Sequence, residues 1–343
     1  MGLDVTGRYR YPPPDLAWLA LCDEEVLEPE LRIVDAHHHL WTEGGYPYLL
    51  DALTDDLASG HDVVATVFVQ AHYSYRTAGP ESLRPVGETD RVEAIRADAR
   101  VRGLDVAAAI VGFADLTRGE AVAEVLDAHA AASPAFRGVR HSVARDEAFP
   151  DGIVLRPAPA GLLNSPAYRA GLREVARGGL SYDAMLYHVQ LDELVETARA
   201  LPDLPIILDH FGCVLGVGPH AADRDELLGR WRADLRRLAD CPNVTIKLGG
   251  LGMIVCGAQW HLADRPPSSR TLAKAWRPLF DPCIDLFGPE RCMVESNFPV
   301  DKAMWSYRTL WNAFKLLSSD LSVDERAALF EATARRVYRI PAQ

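Results

Sequence analysis

The stretch Ile33-Val34-Asp35-Ala36-His37-His38-His39-Leu40-Trp41 decides the fold. Residues 31–36 form an apolar run that reads as a buried strand, and the run ends in three histidines. In an extended chain, residues two apart point to the same side, so His37 and His39 converge while His38 points away. Two imidazoles at that spacing can hold one divalent cation or one substrate oxygen. The plainer alternative is a polar strand end whose histidines bond to backbone. An open doubly wound sheet would carry a glycine-rich phosphate turn after its first strand, and here histidines take that place.

Working outward, short apolar runs recur at 63–70, 106–113, 136–141, 183–189, 205–209, 243–248 and 291–297. They suit parallel strands buried on both faces. Helical spacing fills the gaps at 91–102, 119–132, 167–177, 191–201, 223–239, 269–287 and 303–318. A last helix follows at 321–338, with Ser322 and Glu325 in capping-box spacing. The first connection, 41–61, is turn-rich, with only 51–58 helical. Eight strands, each followed by a connection, predict an α/β fold, a single (β/α)8 TIM barrel spanning 31–343. Residues 1–30 form an N-terminal extension, in which 15–26 reads as a short helix plugging the barrel base or packing on its flank. The irregular pieces 74–90, 142–166, 211–222 and 249–268 all follow strands. That puts them over the C-terminal mouth, where barrel active sites lie.

The 343 residues are 48% hydrophobic and 24% charged, which excludes a disordered, collagenous or membrane-spanning chain. Lys and Arg number 36 against 48 Asp and Glu, a net charge of −12. Such a chain is a poor match for nucleic acid or an anionic membrane, so the expected partner is a small-molecule substrate, with a homo-oligomer left open. Cys22, Cys213, Cys241, Cys256, Cys283 and Cys292 include no CxxC pair. Free thiols in a reducing cytoplasm are the expectation. Residues 1–14 contain no apolar h-region, and no run of about 18 apolar residues exists.

Two more histidines close later strands. Tyr187-His188-Val189-Gln190 ends the fifth and Leu208-Asp209-His210-Phe211-Gly212 the sixth. Barrel geometry brings strand ends together over one mouth, so His37, His39, His188 and His210 are expected around one centre. Asp209, next to His210, is expected to point out of the barrel and to be structural.

With DAHHHLW at 35–41, FRGVRH at 136–141, LDHFG at 208–212, NVTIKLGG at 243–250 and ESNFPVD at 295–301, the chain resembles the amidohydrolase-related family of TIM-barrel hydrolases. Within it the resemblance is to the group of sugar-acid lactonases and pyrone-dicarboxylate lactonase, and it covers roughly 31–340. The resemblance implies that His37 and His39, with His188 and His210, bind one divalent metal ion, zinc or manganese, or in a metal-free enzyme contact the substrate carbonyl. It implies that Arg137 or Arg140 holds a substrate carboxylate, a task suited to a guanidinium fork. An inter-strand or surface ion pair is the alternative for either arginine.

One position departs from the family pattern. Where the family ends its eighth strand Ser-Asp-x-Pro, this chain has Ser296-Asn297-Phe298-Pro299. The family aspartate takes a proton from the attacking water, and an amide cannot. Asn297 is expected to face the histidine centre, and the proton to go to His210 or His188 first, then Asp301, then Glu295. Asp301 could equally cap a helix starting near Ala303, and Glu295 could pair with a buried arginine. Gln70 and His72 end the second strand and are further substrate-binding candidates. Lys247, Tyr73, Trp260 and His261 are weaker mouth candidates. The expected activity is hydrolysis of a small, carboxylate-bearing lactone or related activated carbonyl. The alternatives are a metal-dependent decarboxylase of an aromatic or unsaturated acid and a non-catalytic binding barrel.

Overall fold

The computed structural model describes residues 11–42, 46–153 and 157–342. Residues 1–10 of the extension, 43–45, 154–156 within the 142–166 connection and 343 lie outside the described residues. Eight parallel strands pair in sequence order: β1 Arg32–His38, β2 Asp62–Val69, β3 Ala109–Gly112, β4 Phe136–Val139, β5 Ser181–Ala184, β6 Ile206–Leu208, β7 Val244–Leu248 and β8 Cys292–Val294. Strands such as Ile-Ile-Leu in β6 are buried along their whole length, as a sheet covered on both faces requires.

Helices cross between successive strands and wrap the sheet. Their starts are written locally. Ser165, Asp223, Ser268 and Ser306 each accept the backbone N–H three residues on, opening Pro166–Arg177, Arg224–Ala239, Ser269–Phe287 and Tyr307–Leu317. Each such cap is worth about 1 kcal/mol. The Ser306 cap explains why the helix expected from 303 begins at Tyr307. The capping box of Ser322 and Glu325 forms at Val323–Ala327.

The core has two layers. Trp231, Trp311, Phe280 and their neighbours fill the space between helices and sheet. Inside the barrel, Val34, Ala65, Val67, Ile207 and Met293 pack with Ala334, Tyr338 and Ile340. The C-terminal segment therefore closes the barrel base. The N-terminal segment does not plug it. Its helix, Leu16–Leu19, lies on the flank, where Trp18 Nε1 donates to the Ala263 carbonyl at 2.9 Å. Further along, Glu24 accepts from Ser269 N at 3.0 Å, and Lys315 Nζ donates to the Leu27 carbonyl at 2.9 Å.

The barrel closes between β8 and β1 without a full ladder. A single bridge joins His38 to Phe298. Asn297 N donates to the His37 carbonyl at 2.8 Å, and His39 N donates to the Phe298 carbonyl at 2.7 Å. Below them, Asp35 accepts from Ser296 N at 2.8 Å and from the Tyr307 hydroxyl at 2.9 Å. Burial pushes the Asp35 carboxyl up to about 6, against the pull of these donors. Among the described residues no helix is long and apolar enough to cross a membrane.

Candidate active site

The end of β6 is shaped by its backbone. His210, Phe211, Gly212 and Cys213 all have positive φ, at 55°, 57°, 74° and 45°. Alternation runs on through the extended Asp209, which points inward like Ile207, and it is His210, the first residue at positive φ, that breaks the pattern and turns inward as well. β7 leaves room for them. A Cβ on Gly250 would lie 2.5 Å from His210 Nδ1, and one on Gly249 would collide with Glu295 Cγ. The two glycines of Lys247-Leu248-Gly249-Gly250 are therefore a steric condition of the site.

Two linked clusters result. In the first, His210 Nδ1 donates to Glu295 Oε1 at 2.6 Å, and Glu295 Oε2 lies 3.0 Å from His37 Nδ1. The His37 and His210 rings are 4.6 Å apart. In the second, Lys247 Nζ sits 2.7 Å from Asp183 Oδ2, 3.1 Å from Asp209 Oδ1 and 3.2 Å from His37 Nδ1. Tyr338 from the base donates to the same Asp183 oxygen at 2.7 Å. His39 donates from Nδ1 to the Val69 carbonyl at 2.7 Å, which leaves a lone pair on Nε2. That lone pair faces His37 Nε2 at 3.2 Å. Arg140 reaches in above, its Nη1 3.3 Å from His37 Nε2 and its Nη2 donating to the Gln70 carbonyl at 2.5 Å.

The charges follow from this packing. Burial, helped by Lys247, holds His37 well below its usual range, and burial with Arg140 does the same to His39. Both rings are neutral. Burial opposes the charged form of His210, but the Glu295 carboxylate wins and raises it. Burial likewise pushes Glu295 up, and His210 with His37 overrides it, holding the carboxyl down at about 2. Asp209 is kept ionised against burial by Lys247, His210 and Arg140. Asp301 is the opposite case. Burial raises it to about 7, although Gly252 N and the Asn297 amide donate to it at 2.8 and 2.9 Å.

The donors fit a metal ion. Both Asp209 oxygens are buried without a well-directed hydrogen bond. His37, Asp209 and His210 bring one ligand atom each within 4.8 Å of one another. The 3.2 Å between the His37 and His39 Nε2 atoms is also the spacing of two nitrogens on one ion at bonds of about 2.0–2.1 Å. Arg140 and Lys247 already place two positive charges beside the same space.

Several expected residues are placed elsewhere. His188 is not at this centre. β5 ends at Ala184, so His188 falls in a separate turn, His188–Gln190. Its Nδ1 accepts from Leu215 N at 3.2 Å, and its ring meets His220 in a different cavity, beside Arg230 and Trp231. Arg137 does not face the mouth. Its Nη1 donates to the Pro134 and Phe136 carbonyls at 2.7 and 2.9 Å, at the opposite end of β4. The Asn297 amide turns to Asp301 rather than to the histidines, and Asp301 caps no helix. Asp209 was expected outside and lies inside. Asp183, Glu295 and Lys247 carry far more of the centre than a reading of mouth residues suggests. Their signal was a charge inside a strand with no solvent face, which must find a partner.

Above the centre lies a cavity of about 360 Å³, lined from the ends of β2, β3, β4, β5 and β7. His72, with φ 60°, lines it and accepts or donates at Nδ1 with the Tyr75 hydroxyl at 2.8 Å. Gln70 is buried beneath, its Oε1 unpartnered. Tyr73 instead takes a bond from Arg91, and His261 contacts Met304 Sδ.

With this geometry in place, known proteins provide context. The amidohydrolase family model matches residues 34–340. The uncharacterised protein y4mH of Sinorhizobium fredii is 32% identical over 91% of this chain and 99% of its own. An L-fucono-1,5-lactonase of Burkholderia multivorans is 28% identical over 90% of this chain and 96% of its own. A crystal structure of an amidohydrolase from Burkholderia multivorans with bound zinc is 26% identical, with a TM-score of 0.69 over 90% of this chain and 99% of that one.

Proposed function

The chain belongs to the amidohydrolase family and is a hydrolase, and from that premise we propose that it opens a lactone ring with water at the centre built on His37 and His210. The observation that carries this reading is Glu295, which backs His210 at 2.6 Å and reaches His37 at 3.0 Å beneath the mouth. A carboxylate behind an imidazole fixes its tautomer and makes its far nitrogen a stronger base, the logic of a hydrolytic triad.

His210 Nε2 takes the proton of the attacking water, since Glu295 holds the proton on Nδ1. The water oxygen bonds the carbonyl carbon, the ring C–O bond breaks, and His210 returns the proton to the alkoxide. One water is consumed and one hydroxy acid is released. Asp301, at about 7, is the second candidate acceptor, and Glu295 at about 2 is too weak a base. Arg140 binds a carboxylate or the developing oxyanion, because its guanidinium is the cation that reaches above the histidines. His37, His210 and Asp209, with His39 facing them, would hold a divalent ion, whose chemistry when bound is to polarise a carbonyl and acidify a water; His210 Nε2 would then be a ligand, and Asp301 would be the proton acceptor in its place. The sugar-lactone activity of the Burkholderia relative supports a lactone as substrate.

The test is incubation of the purified protein, its metal content measured by elemental analysis, with panels of lactones and aromatic acids. Stoichiometric acid release from a lactone is expected. Carbon dioxide from an aromatic acid, with no lactone opened, would replace this reading with a lyase.

A further inference from the structure

Tyr11 comes from the segment preceding β1, outside the barrel, yet its ring lines the cavity over the mouth together with His72, Phe113 and Tyr187. It packs against both the main core and the cluster of Cys213, Leu215 and Val255 that forms the far side of the mouth. The Asp301 carboxyl is near enough to add to the burial that raises the Tyr11 phenol. The wall it completes is uncharged. Among the described residues, the cavity lining holds no Asp, Glu, Lys or Arg. His72 and His141 are both pushed down by burial, His72 to about 4, so both are neutral. Arg140 is the cation whose charge acts on His72. Charged side chains stand behind this lining, where Arg145 Nη1 is spent on the Ala158 carbonyl at 3.2 Å, and in an adjoining outer cavity, with Arg84 and Arg118 beside Glu81 and Asp115. At about 360 Å³ the inner cavity is near the small end of ligand pockets, suited to one ring with short substituents.

We infer that Tyr11 is a specificity-determining wall of the substrate cavity, and that this cavity selects a lactone with at most one negative charge, its uncharged ring seated against Tyr11, His72 and Phe113. This rests on the lactone reading. A dicarboxylate would bring a second charge against a lining whose described side chains carry none, at a heavy desolvation cost. Tyr11 supplies apolar contact area and touches neither reacting atom, so it acts on binding rather than on turnover.

The experiment compares δ-hexalactone, which is neutral, with 2-pyrone-4,6-dicarboxylate in the full-length wild type, Tyr11→Ala and Tyr11→Phe. Thermal melts accompany the kinetics. The wild type is expected to favour δ-hexalactone in kcat/KM by about 10-fold or more, the range one pocket contact can supply. Tyr11→Ala is expected to raise KM for δ-hexalactone about 10-fold with kcat held within about twofold, and Tyr11→Phe to restore it. A preference for the dicarboxylate, or an unchanged KM in Tyr11→Ala, would overturn the inference while leaving lactone hydrolysis standing. If the wild type opens neither of these nor any other lactone of the panel, the functional reading fails, and calorimetry decides the cavity separately. In that case 6-methyl-2-piperidone must bind the wild type more tightly than pyridine-2,4-dicarboxylate and lose affinity in Tyr11→Ala, or the inference falls too.

Discussion

Replacing Glu295 by Gln removes one charge from the middle of the site and keeps its volume. The carboxyl is held at about 2 against an ordinary 4.5. That gap is roughly 3 kcal/mol at about 1.4 kcal/mol per unit, and since burial pushes the carboxyl the other way it is the least that the interaction with His210 and His37 amounts to. The shorter contact, 2.6 Å, goes to His210, so we assign that ring somewhat more than half, or about 2 kcal/mol. Losing it lowers the His210 pKa by about one unit or more, because only Asp209 then opposes burial. The base weakens and loses its tautomer, so kcat/KM on a lactone should fall by about 10²- to 10³-fold. The acid limb of the pH profile should move down by about one unit. Stability gives an independent readout. A carboxyl with a depressed folded pKa stabilises the fold above about 4.5, and that stabilisation is lost as pH falls through about 2. Urea unfolding should therefore show wild type and Glu295→Gln converging as pH drops below about 4. Kinetics within about twofold of wild type, with an unmoved acid limb, would refute the assignment of His210 as the base.

Arg140→Met should lower kcat/KM on a carboxylate-bearing lactone by about 10- to 100-fold, the value of a hydrogen bond to a charged group, while Arg137→Met leaves the kinetics alone. Equal losses in both variants would remove Arg140 from the substrate site. Asp301, raised to about 7, favours its protonated form in the folded state, so the stability it lends is full below about 4 and lost as pH rises through 7. Asp301→Asn should flatten that slope in urea unfolding between about pH 4 and 7, and full activity in the variant would exclude this carboxyl as proton acceptor. Asn297→Asp should retain more metal through a chelator wash, by elemental analysis. It should also lose about 1–3 kcal/mol of metal-free stability, because a carboxylate would replace the amide donor facing Asp301 Oδ1.

The barrel was legible because each strand is a short apolar run between turn residues, a pattern that few other folds produce. The centre was legible only where a strand end was located well. His37, His39 and His210 sit within a residue or two of their strand ends. β5 stops at Ala184 because Leu186 and Tyr187, apolar as a strand would be, are spent on packing in the loop, and His188 was carried along with them. Asp209 was misplaced because an inward His210 was taken to put its neighbour outside; Asp209 keeps the alternation set by Ile207, and the positive φ at His210 turns that ring inward too. Arg137 and Arg140 cannot be told apart by residue type. They differ only in which end of β4 they occupy, which a short strand in a long apolar stretch does not disclose. Lys247 and Asp183 satisfy each other deep in the barrel, and a single sequence shows two odd charges without showing that they meet.

The join between β8 and β1 has the fewest strand-to-strand bonds of the barrel, and its fastenings come from the active-site residues themselves, through the backbone of His37, His39, Asn297 and Phe298. The molecule is thus least tightly sewn where it does its chemistry. A ligand held by His37, whose ring is tied to Glu295 across the seam, acts as a stitch across it. Part of its binding free energy is then spent on holding the cylinder shut. Slowed amide exchange along β1 and β8, down to the barrel base below His37, would be the imprint of that stitch.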